Sequence, residues 1–154
     1  MSGATDELYQ QVILDHNRTP RNMRAMPNAT HQAQGLNPLC GDEYRVYLAV
    51  DAVGVIRDVS YEGHGCAISK ASASMMSLAM VGKTVEEARR YFEAFHALVV
   101  GKAERAAAAC DLGKLKVFSG VWRYPARVKC AALCWHALNS ALEGQATAST
   151  EDTL

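Results

Sequence analysis

The sequence has no surplus of charge of either sign. Sixteen lysines and arginines are matched by sixteen aspartates and glutamates, for a formal net charge of zero and a pI near 6.9. That balance removes the broad electrostatic pull on which nucleic-acid and anionic-membrane binders rely. Neither nucleic acid nor membrane is an expected partner, and any function must be local. The amino end carries Asp6 and Glu7 and lacks a basic start followed by an apolar run, so a secretory signal is not expected. No long apolar run is present either. The most apolar stretch, 66–81, contains Lys70 and four serines and falls short of the ~20 apolar residues a membrane span needs. Five cysteines are an odd number, and without an export signal they point to a reducing, cytoplasmic setting in which thiols are free or metal-bound rather than paired.

What is present suits one ordinary domain. At 154 residues, folding should bury roughly 70% of the unfolded chain's surface, enough for a core without cross-links. Leu8, Val12, Ile13 and His16 recur at helical spacing after Thr5 and Asp6, predicting a first helix over 6–17 that Pro20 ends. The segment 18–39, rich in Pro, Asn, Gln and Gly, predicts a loop with one short strand near 30–34. Tyr44, Val46, Leu48 and Val50 alternate as a strand over 44–51, 56–62 reads as a second, and Ala52-Val53-Gly54 is a hairpin connection.

After Gly63 the period turns helical. Ile68, Ala71, Met75 and Leu78 make one apolar stripe, flanked by small residues that let a helix lie close on a sheet. Thr84 and Glu87 form a capping box before the stripe Val85, Ala88, Phe92, Phe95 and Val99. A short helix is predicted over 102–109, a basic and aromatic loop over 113–124, and a last helix from Val128 with Ala132, Trp135, Leu138 and Leu142 on its apolar face. Strands precede most helices, so the class is α+β, a small antiparallel sheet of about three strands packed against helices. The domain is expected over 1–143, with 144–154 a polar, flexible tail.

Three cysteines stand where the chain path is unusual. Cys40-Gly41-Asp42 puts a thiol and a carboxylate around a glycine, which permits the tight path needed for both to converge. Cys66 follows Gly63-His64-Gly65 at the start of a helix, and Cys130 follows Lys129 near the start of the last one. A helix N-terminus favours a thiolate, and Arg127 and Lys129 would favour it further. Together Cys40, Asp42, Cys66 and Cys130 offer three sulfurs and an oxygen, the number that a tetrahedral zinc ion takes. Spacing alone leaves a buried, inert cysteine as the commoner outcome for each.

Four motifs carry a resemblance. Leu8-Tyr9-Gln10-Gln11-Val12-Ile13-Leu14-Asp15-His16 with Pro20-Arg21-Asn22, then Asn37-Pro38-Leu39-Cys40-Gly41-Asp42, then the run 65–74 beginning Gly65-Cys66, and last Val128-Lys129-Cys130 resemble, in order, the IscU/NifU amino-terminal family of iron–sulfur cluster assembly proteins. The likeness spans residues 8 to about 142. Within it the chain is similar to the SufU branch. Lys129 stands where the scaffold branch has a histidine before its last cysteine. An extra segment, 112–127, precedes that cysteine, and Pro125-Ala126-Arg127-Val128-Lys129 replaces the scaffold branch's Pro-Pro-Val-Lys stretch.

The resemblance implies an IscU/NifU-like fold and zinc held through Cys40, Asp42, Cys66 and Cys130. It further implies a sulfurtransferase role in which the protein docks on a SufS-type cysteine desulfurase, with other SUF assembly proteins as further partners. Cys40 would accept the persulfide sulfur, and Arg127 would hold the site or steer the anionic persulfide. Zinc keeps a cysteine as thiolate near neutral pH, and Cys40 must be able to leave the metal to act as a nucleophile. The alternative is a scaffold for a [2Fe–2S] cluster, in which Asp42 as a hard oxygen ligand keeps the cluster labile. Cys110 and Cys134 match no motif and read as core or helix-surface thiols. His64 lies close to Cys66 in sequence but outside the family pattern. Lys114, Lys116, Arg123, Arg127 and Lys129 form a basic cluster, and with Phe118, Trp122 and Tyr124 within it the loop over 113–124 is the expected docking surface, facing an acidic rim on the desulfurase.

Overall fold

A computed structural model of the chain describes residues 3–38, 41–145 and 147–149. Helix α1 (Gly3–Arg18) leads through an irregular segment into strands β1 (His31–Asn37), β2 (Asp42–Val50) and β3 (Ile56–His64). These pair antiparallel in sequence order. Helices α2 (Ala67–Met80), α3 (Val85–Val99) and α4 (Ala103–Ala109) follow. Two 3₁₀ segments, Gly113–Phe118 and Val121–Arg123, then lead to α5 (Pro125–Leu142). A three-residue β4 (Thr147–Ser149) comes from the tail and pairs parallel to β1 at Gln34–Leu36, giving the order β3-β2-β1-β4. Among the described residues no helix is long and apolar enough to cross a membrane.

Alternation decides which face of the sheet is covered. Tyr44, Val46 and Leu48 of β2, with Ile56, Val59 and Tyr61 of β3, are buried beneath the helices. The β2–β3 connection is the expected hairpin, closed by Asp51, whose Oδ1 accepts from the amides of Val53 (3.1 Å) and Val55 (2.9 Å). Helix α3 starts on the expected capping box, Thr84 and Glu87 each satisfying the other's amide.

The centre of the molecule is α5, of which Cys130 to Leu138 is continuously buried. It lies hard against β1: a Cβ on Gly35 would stand 3.1 Å from Leu133 Cδ1. Trp135 stacks on Phe95 of α3 at 4.6 Å, and Phe95 meets Phe118 edge-on at 5.7 Å. Phe118 is therefore core, not part of an exposed aromatic surface. Ser72 ties α2 to α5, its hydroxyl donating to Ala131 O at 2.6 Å and accepting from Trp135 Nε1 at 3.2 Å. This small residue inside a helix lets a buried indole satisfy its one donor.

Three expectations are corrected. Leu78, assigned to the apolar stripe of α2, is 52% exposed, because the covered face of the helix is the one that carries Ser69, Ser72, Met76 and Met80, and Leu78 points away from it. The loop over 113–124 contains 3₁₀ turns that bury Leu115, Val117 and Val121. Helix α5 starts at Pro125, whose missing amide and fixed φ suit a first helical position, so Cys130 lies in its second turn rather than at its terminus.

Candidate metal centre

Register brings the pieces of the site to one end of the sheet. Asn37, the last residue of β1, is paired with Asp42, the first of β2, and Glu43 is paired with His64 at the end of β3. The β1–β2 turn and the β3–α2 connection therefore open at the same end. Gly41 has φ +73 and donates its amide to Asn37 O at 2.9 Å, the left-handed conformation that a glycine between Cys40 and Asp42 was expected to supply.

Cys66 is the N-cap of α2, and its Sγ accepts from Ser69 N at 3.5 Å. Its own amide donates to Asp42 Oδ1 at 3.1 Å, while Asp42 Oδ2 lies 3.9 Å from its Sγ. The approach is possible only because residue 65 has no side chain: a Cβ there would stand 2.3 Å from Ser69 Oγ and 2.8 Å from Asp42 Oδ1. Cys130 is buried and comes in from α5, its Sγ 3.9 Å from Asn37 Nδ2.

The result is one cluster. A carboxylate oxygen of Asp42 and the sulfurs of Cys66 and Cys130 lie within 4.8 Å of one another. With Zn–S near 2.3 Å and Zn–O near 2.0–2.2 Å, ligand atoms of a tetrahedral zinc stand about 3.3–3.8 Å apart, so these three side chains need to close by only about 1 Å. Two soft sulfurs with one carboxylate suit zinc or an iron–sulfur cluster rather than calcium or magnesium. Cys66 is exposed while Asp42 and Cys130 are buried, so the group opens to solvent on one side.

The two thiols share one proton in the metal-free protein. The Cys130 thiol, hydrogen-bonded to Cys66, brings the Cys66 pKa down to about 6; the Ser69 amide and hydroxyl add to this and burial opposes it. The same hydrogen bond, together with burial and the neighbouring Asp42, drives Cys130 far up. Both directions favour the thiolate at Cys66 over Cys130, and a metal held by both sulfurs must displace the remaining proton.

Of the sequence-predicted ligands, Asp42, Cys66 and Cys130 converge. Cys40 lies outside the described residues. Arg127 is not in the cluster: it is exposed on the first turn of α5, its guanidinium 4.6 Å from the centroid of the Tyr124 ring, three residues before Cys130 and so on the same side of the helix. His64 is turned outward near Glu43, at 3.9 Å. Cys134 is buried against Ser72, while Cys110 is half-buried at the end of α4. Of the expected docking aromatics, Trp122 and Tyr124 are exposed, with Arg123 stacked near the first.

Sequence reasoning gave no role to Asn37 or Ser69. Asn37 is fully buried, bonds the turn before Asp42 through its backbone, faces Cys130 with its amide nitrogen and leaves Oδ1 without a partner. Its position in Asn37-Pro38-Leu39-Cys40 was the available signal.

Comparison with known proteins agrees with this geometry. The family model described as NifU-like N-terminal domain matches residues 8–131. The chain is 41% identical over 133 residues to the zinc-dependent sulfurtransferase SufU of Bacillus subtilis, covering 86% of this chain and 88% of that one. It is 38% identical over 139 residues to the iron–sulfur cluster assembly scaffold protein IscU of Thermotoga maritima, covering 88% and 93%. A crystal structure from Fervidobacterium islandicum, assigned as an iron–sulfur cluster assembly scaffold of the SUF system, superposes with a TM-score of 0.78 at 36% identity, over 88% of this chain and 97% of that one.

Proposed function

Since the chain belongs to the NifU-like N-terminal domain family, we propose that it is a zinc-dependent sulfur acceptor of the SUF iron–sulfur assembly system, taking persulfide sulfur from a SufS-type cysteine desulfurase. The convergence of Asp42, Cys66 and Cys130 within 4.8 Å carries this reading, and the likeness to a zinc-dependent sulfurtransferase supports it. Cys40 completes the set. Two peptide units separate it from Asp42, so their Cα atoms can be no more than about 7 Å apart. Bound zinc would hold the thiols deprotonated near neutral pH.

In the transfer, the Cys40 thiolate attacks the terminal sulfur of the desulfurase persulfide. A new S–S bond forms on Cys40, the S–S bond on the desulfurase breaks, and that enzyme's cysteine leaves as thiolate. Arg127, exposed one turn from Cys130, attracts the anionic persulfide, and the exposed Trp122 and Tyr124 give the partner an apolar contact beside the basic residues. Desulfurase turnover measured with and without the protein tests the reading: stimulation by the wild type and none by Cys40→Ser is expected, and equal stimulation by both would overturn it.

A second reading, the assembly of a [2Fe–2S] cluster for delivery to other SUF proteins, draws support from the scaffold relatives. Lys129 in place of a histidine weighs against it. Protein purified without added iron should be colourless with about one zinc; a reddish protein containing iron and sulfide would favour the scaffold.

A further inference from the structure

Away from the metal centre, α1, α2 and the first 3₁₀ segment enclose a groove of about 800 Å³, within the range of small-molecule sites. It uses the far end of α2, Met75 to Ala79, which at 1.5 Å per residue lies roughly 14–20 Å along the helix from Cys66. The two sites can therefore be occupied together.

The groove has two kinds of lining. Val12, Met75, Leu78, Leu115 and Val117 give it apolar walls. Leu78 is 52% exposed there, a large apolar side chain left in water by the fold itself. Its charged lining is His16, Arg21, Lys114 and Lys116, against the single carboxylate of Asp15. Arg21 Nη2 holds Asp15 Oδ2 at 2.7 Å, which uses one arm of the guanidinium; Nη1 is buried and has no acceptor. His16 is buried, with Nδ1 hydrogen-bonded to Ser74 Oγ at 2.7 Å. Lys114 adds positive charge facing the imidazole. A charged donor without a partner costs more than a neutral one, and an incoming anion would remove that cost.

The geometry points to a binding site for a single-headed anionic amphiphile, a medium-chain monocarboxylate whose carboxylate pairs with Arg21 and Lys114 and whose alkyl chain covers Leu78 and the apolar walls. A cationic amphiphile is repelled by the same residues. A neutral one leaves Arg21 Nη1 unpaired. A polyphosphate lacks donors enough and would desolvate against leucine and valine.

Dodecanoate, kept below its micelle concentration and titrated into the full chain, is the probe. The methyl resonances of Val12, Met75, Leu115 and Val117 should shift along one saturable, one-to-one isotherm, with the zinc content unchanged. Dodecyltrimethylammonium and dodecanol should bind at least about tenfold more weakly, the factor expected from losing a charge-assisted hydrogen bond. Arg21→Gln should weaken dodecanoate by a similar factor. Because Arg21 also contacts α2, exposed Lys114→Glu serves as the second variant, and Leu78→Asp should abolish binding with the circular dichroism spectrum intact. Dodecanol binding as tightly as dodecanoate would overturn the assignment, as would shifts scattered over the surface. So would the absence of binding while an added desulfurase broadens the same methyls, which would make the groove a protein contact.

Discussion

The amide of Cys66 donates to Asp42 Oδ1 at 3.1 Å, so the residue that caps α2 is fixed to the residue that begins β2 before any metal arrives. The carboxylate has two jobs on its two oxygens: Oδ1 anchors the helix, and Oδ2 faces the Cys66 sulfur at 3.9 Å. Asp42→Asn keeps an acceptor for the amide and loses the charge. It should leave the thermal midpoint nearly unchanged and lower zinc affinity by at least about tenfold, measured by chelator competition. Asp42→Ala should lower both.

Among the described cysteines, Cys66 should be the most reactive thiol of the metal-free protein. Its thiolate form is favoured down to a pKa of about 6 by the hydrogen bond from Cys130. The rate of its alkylation should therefore be flat above pH 7 and fall as pH drops through 6, followed by peptide mass spectrometry. Cys130→Ala removes the donor and should move the midpoint upward, toward an ordinary thiol. A midpoint unchanged in that variant would show that the two thiols do not share a proton.

Gly65 is the residue on which the closeness of the site depends. Gly65→Ala sets a methyl 2.3 Å from Ser69 Oγ and 2.8 Å from Asp42 Oδ1. The expected cost is about 1–3 kcal/mol of stability from overpacking, read from denaturant unfolding. Zinc affinity should fall with it, because the Asp42 carboxylate as well as the Ser69 hydroxyl must give way.

Ser72→Ala leaves the buried Trp135 Nε1 and Ala131 O without their shared partner. Ala131 O keeps its helical bond, but the orphaned indole N–H should destabilise by about 1–3 kcal/mol, the cost of an unsatisfied buried donor, measured from the urea midpoint. This variant separates stability from chemistry: the candidate ligands Asp42, Cys66 and Cys130 are intact, so zinc binding by the folded fraction should persist.

Arg127→Glu should reduce sulfur acceptance from the desulfurase while zinc content stays constant, since the side chain is exposed and outside the ligand cluster. Raised ionic strength should weaken the wild type's response and leave this variant less affected.

The strands of β2 and β3 and the capping box of α3 were legible because period and cap chemistry are local properties of a few residues. The convergence of Asp42, Cys66 and Cys130 was legible only as a set, since 88 positions separate the first from the last, and it takes both the register of the sheet and the packing of α5 against β1 to bring them together. Leu78 and Phe118 were misread for the same physical reason. Residue type tells which side chains are apolar, not which face the neighbouring layers cover: α2 buries the face of Ser69, Ser72, Met76 and Met80 and leaves Leu78 outside it, and an aromatic in a basic loop can turn inward when a 3₁₀ turn aims it at Phe95. Asn37 could not be assigned from its type alone, because its role arises from burial beside a sulfur 93 positions away.

The short parallel pairing of Thr147–Ser149 with Gln34–Leu36 covers the outer edge of β1. Without those residues the edge strand that leads into the Asn37 turn would present bare amides and carbonyls to any extended peptide in solution. Truncation before Thr147 should thus encourage self-association through strand addition. Affinity tags are better attached at the amino end, where they leave this guard in place.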